Sequence, residues 1–324
     1  MSTIVVSHAL YKDGMEVLKD NHLVIPNNGD SDIIIDDLKE ADAYILRIGK
    51  IDRKAIEQCP KLKVITRPGV GYDSVDVKAA TEYGIPVALC PSTNAGAVAE
   101  HTVALILSIA KNIVRYNNET EHGNYAVRNT FTAVNVEGKT VSVLGFGRIG
   151  RKVAEFCTGL GMKVAAYDPY VKPEDVKAMG YIPTADLHEA LSLGDFVTIH
   201  MPSMDSTRGM IGKAEFDAMK DGAYFINCAR GDIVQENELY NALVSGKLAG
   251  AAADVLEKDP PENDNPLFKL NNFIITPHSA AQTKETASAL AIMAAEATLT
   301  VLRGEKWPHV ANPEVYEHPK WRGK

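Results

Sequence analysis

One segment of the sequence has the residue types and spacing of a phosphate-binding turn. Residues 145–150 read Gly-Phe-Gly-Arg-Ile-Gly and lie between the apolar run 141–144 and a helix-forming stretch. In such a turn the first glycine permits a tight bend, the second lets backbone approach a pyrophosphate, and the third lets the helix pack closely on the strand. The helix N-terminus carries a partial positive charge that favours phosphate. We therefore predict a dinucleotide site that includes the turn residues Gly145, Gly147, Arg148, Ile149 and Gly150.

An acidic residue follows the next predicted strand. Asp168 comes directly after the apolar run 164–167, close to the offset of about 20 residues at which a ribose-binding acid is expected. Its carboxylate can accept hydrogen bonds from ribose hydroxyls but repels a 2′-phosphate, and no arginine follows directly in 169–171. A glycine motif alone could be a plain tight turn. With the strand, the helix and the acid, it predicts NAD rather than NADP as the cofactor.

Several further segments occur in the order and spacing of one family. They read Arg-Pro-Gly-Val-Gly-Tyr-Asp at 67–73, Val-Ala-Glu-His at 98–101, His-Met-Pro at 200–202, Asn-Cys-Ala-Arg-Gly at 227–231, Asp-Val-Leu-Glu-Lys-Asp-Pro at 254–260 and Thr-Pro-His-Ser-Ala at 276–280. With these motifs the chain resembles the D-isomer-specific 2-hydroxyacid dehydrogenases over residues 40–290. The similarity is greatest to the phosphoglycerate dehydrogenase-like branch without a regulatory domain.

The resemblance assigns catalytic roles to three residues, and each role has a chemical reason. Arg230 is expected to hold a substrate carboxylate, because a guanidinium fork makes two parallel charge-assisted hydrogen bonds that a lysine cannot match. His278 is expected to exchange a proton with the C2 oxygen, since a histidine titrates near neutral pH. An acid beside that histidine would fix its tautomer and stabilise the imidazolium. We expect Asp259 to be this acid.

At Asp259 the sequence departs from the family, which usually has a glutamate directly before the proline. Aspartate is one methylene shorter, so the contact with His278 is expected either to be longer or to require a backbone adjustment. Glu257, two residues earlier, is the second candidate for the same role.

The resemblance also assigns residues to the cofactor. Asp254 is expected to hydrogen-bond the nicotinamide carboxamide, and the backbone of Ala229 to orient the same ring. His200 and Pro202 are expected to shape the pyrophosphate and ribose side of the site. His101 is expected to serve in packing or at an interface.

For the substrate, the resemblance implies that the backbone amides of Val70 and Gly71 meet the carboxylate while Asn94 lines the cleft. Arg47 and Arg67 each follow a predicted strand, so they could meet at the carboxyl ends of neighbouring strands, where ligands collect. With Lys50 they could bind the phosphate of 3-phosphoglycerate. They could equally be solvated surface cations, and glyoxylate, hydroxypyruvate and branched 2-oxo acids stay open. No metal is expected to be required.

The elements that must position these residues follow an alternating pattern that predicts an α/β fold with parallel sheets. Predicted strands are 3–7, 43–46, 63–66, 85–89, 141–144, 164–167, 196–200, 224–227, 250–253 and 273–276. Predicted long helices are 97–114 and 283–302. We predict two Rossmann-like, doubly wound domains with the active site in a cleft between them. The substrate domain, flavodoxin-like, comprises 1–97 plus 283–324, and the NAD domain comprises 98–282. The tail 308–324 is expected to be an irregular surface segment.

Composition excludes several classes of protein. A formal charge of −8 and a pI near 5.6 disfavour a nucleic-acid-binding surface. No run reaches the roughly 20 apolar residues of a membrane span, and the N-terminus has no basic region like that of a signal peptide. The four cysteines are scattered, which argues against disulfides and a zinc site. We expect a cytoplasmic protein.

Two functions from different classes fit these observations. The first is an NAD-dependent dehydrogenase acting on a small 2-hydroxy or 2-oxo acid, paired through its NAD domain as a homodimer, as the resemblance implies. The second is an NAD(H)-sensing, corepressor-like binding protein with weak or no catalysis. The presence of both Arg230 and His278 favours the enzyme.

Overall fold

The computed structural model describes residues 1–26, 35–91 and 94–322 of the chain. Contacts divide it into two compact units, one formed by Met1–Asn94 with Gln282–Lys324 and the other by Ala95–Ala281. Each unit contains one parallel sheet with helices, so the predicted α/β class with two doubly wound sheets is confirmed. The sequence placed the unit boundaries at 97/98 and 282/283.

The first unit is built on a five-stranded parallel sheet in the order β2-β1-β3-β4-β5. The strands are β1 (Thr3–Val6), β2 (His22–Val24), β3 (Ala43–Ile45), β4 (Val64–Arg67) and β5 (Val87–Leu89). This is the flavodoxin-type order, whose switch point lies between β1 and β3. β2 is not among the predicted strands, because three half-exposed residues carry almost no periodic signal.

Helices cover both faces of this sheet. They are α1 (Lys12–Leu18), α2 (Ile35–Lys39), α3 (Arg53–Glu57), α4 (Val77–Glu82) and the long α12 (Lys284–Leu302). Thr283 caps α12 by accepting from the Thr286 amide. The small residues of α12 let it approach closely: a Cβ on Gly14 of α1 would lie 2.5 Å from the carbonyl carbon of Ala291. By length and composition alone α12 could cross a membrane. In this structure Ala294, Ala295 and Ala297 are instead fully buried in the core of the unit.

The C-terminal tail is packed, which corrects the expectation of an irregular surface segment. Asn312 is fully buried; it accepts from the Val87 amide at 2.9 Å and donates to the Ile85 carbonyl at 3.0 Å. Val315 and Trp321 are buried too. Proline and charge in this segment suggested solvent, but its few large side chains find partners on the sheet edge that no local pattern indicates.

The second unit is built on a seven-stranded parallel sheet in the order β12-β11-β10-β9-β6-β7-β8. The strands are β6 (Thr140–Leu144), β7 (Lys163–Tyr167), β8 (Ile182–Pro183), β9 (Phe196–Ile199), β10 (Ala223–Asn227), β11 (Leu248–Ala253) and β12 (Phe273–Ile275). Central strands β9 and β10 are buried along their whole length, as expected of a sheet covered on both faces. The chain runs from β6 through β7 to β8 on one side and then crosses to β9 on the other side of β6, so the switch point lies between β6 and β9.

Seven helices in the described residues accompany this sheet: α5 (Ala95–Ala110), α6 (Ile113–Glu121), α7 (Arg148–Gly159), α8 (Pro173–Ala178), α9 (Leu187–Leu193), α10 (Lys213–Ala218) and α11 (Glu236–Val244). The predicted helix 97–114 is interrupted, since Asn112 adopts the left-handed conformation with φ of 53°. Asparagine tolerates this conformation better than most residues. The interruption separates the buried α5 from the exposed α6.

Candidate active site

Six strands of the second unit end in residues that the sequence assigns to the site. Because β6, β7 and β9 to β12 are parallel, the residues after them lie along one edge of the sheet. They are Gly145 after β6, Asp168 after β7, His200 after β9, Ala229 and Arg230 after β10, Asp254 after β11, and His278 after β12. This is the edge, next to a switch point, at which open α/β sheets bind ligands.

Each glycine of the turn has a distinct steric reason. Gly145 has φ of 93°, and a Cβ there would lie 2.7 Å from the carbonyl carbon of His200. A Cβ on Gly150 would overlap the Gly145 carbonyl oxygen. Gly147 is different: nothing lies within 4 Å of where its Cβ would be. The space beside Gly147 at the start of α7 is therefore open, as a site for a pyrophosphate requires.

The residues around the turn fit NAD. Gly147 is the N-cap of α7 and brings no side chain to the first-turn amides, which leaves them to a phosphate. Arg148 starts that helix, and Ile149 packs half-buried on the core. Asp168 accepts from the Phe146 amide at 2.8 Å and the Tyr170 amide at 2.9 Å, so the acid is fixed beside the turn. A carboxylate has further lone pairs for ribose hydroxyls.

His200 is held neutral. Burial lowers the pKa of its imidazole to about 3. Its Nε2 lies 3.0 Å from Thr198 Oγ1, while its Nδ1 is buried and has no hydrogen-bond partner within the described chain. A neutral ring adds no positive charge beside the helix N-terminus. The neighbouring Pro202 accepts through its carbonyl from Thr207 Oγ1 at 2.7 Å.

The segment after β10 is organised by Asn227. Its buried side chain donates to the Arg230 carbonyl at 2.9 Å and accepts from the Ala229 amide at 3.0 Å. Arg230 donates from Nη1 to the Ala229 carbonyl at 2.8 Å, which helps to orient the guanidinium. At Gly231, a Cβ would overlap the carbonyl of Leu256. This glycine therefore lets the Arg230 segment lie directly against the loop that leads to Asp259.

Asp259 reaches His278. The distance from His278 Nδ1 to Asp259 Oδ2 is 2.5 Å, and both side chains are about half exposed. The shorter acid therefore does not lengthen the contact. No side-chain contact joins Glu257 to His278 in the described residues; Glu257 instead donates its amide to Glu236 Oε2 at 3.2 Å. With Nδ1 facing Asp259, the Nε2 atom of His278 faces away from the acid.

Asp254 holds the loop that carries His278. Oδ1 accepts from the Thr276 hydroxyl and from the Ser279 amide at 2.9 Å, and Oδ2 accepts from the Ala280 amide at 2.8 Å. The backbone carbonyl of Asp254 accepts from the His278 amide at 2.9 Å. Asp254 is 2% exposed, so these bonds replace its water. The expected contact with nicotinamide stays a prediction.

In the first unit, Arg67 is tied to backbone. Its Nε donates to the Gly71 carbonyl at 3.1 Å, and its Nη1 donates to the carbonyls of Leu46 and, at 3.0 Å, Arg47. The Arg47 backbone amide is held by Ser7 Oγ at 2.9 Å, and its exposed side chain donates to the Ala9 carbonyl. Arg67 thus joins the ends of β3 and β4. Val70, Gly71 and Asn94 are half-buried, and their substrate contacts stay predictions.

Sequence reasoning missed several residues that hold the site in place. Asn227, Thr276 and Gly231 all lie inside the motifs, yet none was given a role. The first two stand at the end of a strand or directly after one, and small polar residues at that position are a usable signal. Glu236 of α11 accepts from the Glu257 amide before Asp259 and, at 2.5 Å, from the Asn265 side chain after it, and no local pattern indicates these contacts.

Comparisons with known proteins agree with this geometry. Residues 103–280 match the D-isomer specific 2-hydroxyacid dehydrogenase, NAD binding domain. The chain is 39% identical to D-3-phosphoglycerate dehydrogenase of Methanocaldococcus jannaschii over 96% of this chain and 60% of that protein. It is 36% identical to glyoxylate reductase of Korarchaeum cryptofilum over 87% of this chain and 86% of that protein.

Among solved structures, D-lactate dehydrogenase from Aquifex aeolicus, complexed with NAD and lactic acid, superposes with a TM-score of 0.85 at 30% identity. The match covers 93% of this chain and 96% of that one. The chain spans about half the length of several phosphoglycerate dehydrogenases that it matches, from 45% to 60%. The NAD cofactor predicted from the glycine turn is confirmed by the matched domain. By its motifs, its fold and these similarities, the chain belongs to the D-isomer-specific 2-hydroxyacid dehydrogenase family, in the phosphoglycerate dehydrogenase-like branch.

Proposed function

We propose that the protein is an NAD-dependent dehydrogenase that interconverts a small D-2-hydroxy acid and its 2-oxo acid. The observation that carries the proposal is the His278–Asp259 pair, with Nδ1 and Oδ2 2.5 Å apart, on the same sheet edge as the glycine turn. Binding of NAD by itself requires no histidine–carboxylate pair. Such a pair is the arrangement of a proton donor with a fixed tautomer.

The chain's own residues would divide the work between binding and proton transfer. When bound, NAD(H) supplies or accepts the hydride at C2. His278 donates its Nδ1–H to Asp259, so Nε2 is the atom that gives a proton to the C2 oxygen during reduction and takes it back during oxidation. Asp259 stabilises the charge on the ring when Nε2 is protonated.

Arg230 would bind the substrate carboxylate. One of its nitrogens, Nη1, donates to the Ala229 carbonyl at 2.8 Å, which limits rotation of the guanidinium plane. The remaining donors can then form the parallel pair of bonds that a carboxylate accepts. This contact places the C2 carbonyl next to the carboxylate in a fixed orientation, which is the main contribution that positioning makes to catalysis.

Two substrates are favoured by different observations. Similarity to phosphoglycerate dehydrogenases favours the phosphorylated three-carbon acid, which would use Arg47 and Lys50. Glyoxylate is favoured because the chain spans 86% of a glyoxylate reductase and because Nε and Nη1 of Arg67 already serve backbone carbonyls. The reaction type is the same for both acids.

The direct test is oxidation of NADH and NADPH, followed at 340 nm with 3-phosphohydroxypyruvate, glyoxylate, hydroxypyruvate and 2-oxoisocaproate. We expect turnover with NADH that Arg230→Ala and His278→Ala each reduce by at least about a thousandfold in kcat/KM. Arg47→Ala should raise KM for the phosphorylated acid alone if Arg47 binds its phosphate. NADH binding without turnover on any acid would reject the enzyme and favour a sensor.

We also propose that the protein forms a homodimer through the second unit. Within the described residues, α6 has no buried residue, and four apolar side chains between 113 and 131 are unusually exposed. They are Ile113 at 53%, Val114 at 41%, Tyr125 at 66% and Phe131 at 87%. An exposed apolar surface of this kind is typical of a protein interface. The cytoplasmic location inferred from the sequence stays a prediction.

A further inference from the structure

A second histidine lies beside the loop that carries His278. His101 projects from α5, and its Nε2 lies 2.9 Å from Thr276 Oγ1 and 3.5 Å from Asp254 Oδ1. Its side chain is 22% exposed, so it is largely enclosed by the same unit. The sequence suggested only packing or an interface for this residue. Its contacts place it instead next to two residues of the site.

The donor and the acceptor can be assigned in both hydrogen bonds of the Thr276 hydroxyl, to His101 and to Asp254. The Thr276 hydroxyl has a single proton, which it donates to Asp254 Oδ1. Its oxygen can therefore accept from His101 Nε2–H at 2.9 Å. His101 thus fixes the rotation of the hydroxyl, and the hydroxyl in turn helps to fix the carboxylate.

That carboxylate holds the backbone on both sides of His278. Thr276 precedes the histidine, and the Ser279 and Ala280 amides follow it, at 2.9 and 2.8 Å from the two carboxylate oxygens. His278 itself has φ of 52°, in the left-handed region that a residue with a Cβ adopts at a cost. Such a conformation persists only if its surroundings enforce it, and these bonds supply that restraint.

We propose that His101 is a positioning residue for His278, acting through Thr276 and Asp254. The chain His101–Thr276–Asp254 holds the 276–280 loop so that the His278 ring meets Asp259 with its Nδ1 and presents Nε2 to the substrate. Among the described residues, the polar contacts of His101 are with Thr276 and Asp254 and not with Asp259. The proposal rests on the proposed function, because it assigns a purpose to the placement of His278.

The test uses pairs of variants in the full-length protein. Thr276→Val and His101→Met remove a hydrogen-bonding group and keep the approximate volume, whereas Thr276→Ser and His101→Gln retain a hydroxyl and an Nε2 donor. His188→Asn, at an exposed histidine of the same unit, is the matched control. The readouts are kcat, KM for NADH, thermal unfolding, and amide hydrogen exchange of Ser279 and Ala280 in the free protein.

We expect Thr276→Val and His101→Met to lower kcat roughly ten- to a hundredfold, because a shift of about 1 Å in a reacting group has an effect of this size. KM for NADH should stay within about twofold, and Thr276→Ser and His101→Gln should keep kcat within about threefold. The amides of Ser279 and Ala280 should exchange faster only in Thr276→Val and His101→Met. His188→Asn should match the wild type in every readout.

Two results would overturn the proposal. One is wild-type kcat and amide protection in Thr276→Val and His101→Met. The other is an equal loss in all four variants, which would mean that packing rather than the hydrogen bonds matters. If the wild type turns over no acid, the proposed function fails, and the exchange rates still decide whether His101 holds the loop.

Discussion

A single methylene distinguishes Asp259 from the glutamate that the family resemblance leads one to expect, yet the acid contacts His278 at 2.5 Å. The loop between β11 and β12 lies directly against Gly231. Glu236 holds this loop by accepting from the Glu257 amide and the Asn265 side chain. The path of the loop backbone therefore brings the shorter Asp259 side chain within hydrogen-bonding distance of His278. Residue identity and loop path act together at this position.

Substituting Asp259 should separate charge from reach. Asp259→Asn keeps the shape but removes the charge that stabilises the protonated ring, so kcat should fall roughly ten- to a thousandfold. Asp259→Glu should stay within about tenfold of wild type, because the longer side chain has room to adopt another rotamer at this half-exposed site. Steady-state NADH oxidation measures both. A larger loss in Glu257→Gln than in Asp259→Asn would contradict the assignment.

His200 should make the protein sensitive to acid. Its pKa is lowered by burial from 6.5 to about 3, so between these values the unfolded chain binds a proton that the folded protein does not. Stability from this residue is complete above pH 6.5 and declines as the pH falls toward 3. From pH 7 to pH 4.5 the loss should be about 2.5 kcal/mol.

Urea unfolding at both pH values tests this prediction with His200→Gln, whose amide can still reach Thr198. The variant should lose less stability than the wild type between pH 7 and pH 4.5. Carboxylates with lowered pKa, such as Asp42 and Asp195, also destabilise the fold in acid, but they are common to both proteins. Equal pH dependence in the two proteins would mean that His200 is solvated.

At the scale of elements, the β6–turn–α7 unit combines two different demands on glycine. Gly150 is required by packing, because a Cβ would overlap the Gly145 carbonyl. Gly147 has an ordinary φ of −78° and open space around it, so the fold itself does not require glycine there. Glycine is required at this position only if a ligand approaches the backbone closely.

Alanine at position 150 should therefore mainly lower stability, whereas alanine at position 147 should mainly weaken cofactor binding. Gly150→Ala should lower the free energy of unfolding by about 2 kcal/mol, a typical cost of overpacking. Gly147→Ala should lower the free energy of unfolding by no more than about 1 kcal/mol, the cost of alanine at an N-cap, and should weaken NADH binding roughly tenfold or more, because a Cβ there would enter the open space proposed for the pyrophosphate. Thermal unfolding and NADH fluorescence titration are the measurements.

Gly159→Ala is the matched control for both. It lies at the end of the same helix with nothing within 4 Å of its Cβ, so it should change neither the stability nor the binding by much. Unaltered NADH affinity in Gly147→Ala would place the pyrophosphate elsewhere.

At the scale of the whole molecule, the chain leaves the first unit after Asn94 and returns to it at Gln282. The return is tied by Thr298, whose hydroxyl lies 2.8 Å from Thr66 Oγ1, and by Ser288, which donates to Asp13 at 2.5 Å. Each unit thus has its own core, while the exposed apolar side chains of residues 113–131 in the second unit belong to neither core. Their exposure is the observation that supports the proposed homodimer.

Removing this surface should dissociate the proposed dimer. In Phe131→Asn combined with Tyr125→Ser, the apolar contact is lost, and asparagine tolerates the left-handed conformation of position 131. Sedimentation velocity should show a dimer for the wild type and a monomer for the double variant. Tyr170→Ser, which removes an aromatic ring 83% exposed elsewhere in the unit, should stay dimeric. A monomeric wild type would reject the proposal.

The sequence by itself determined the class of fold, ten of the strands, the glycine turn and the NAD cofactor. It could do so because these features depend on local signals: apolar periodicity, glycine spacing and an acid at a set offset from the turn. The two short strands β2 and β8 carried too little periodic signal to be found in this way.

Only the tertiary structure decided what depends on contacts between distant residues. It brought Asp259 rather than Glu257 to His278, buried Asn312 of the tail beneath Val87, and turned His101 toward Thr276. None of these pairs shares a period or a motif. Their partners are chosen by the path of loops and by the packing of helices on the sheet, which the sequence encodes only through the whole fold.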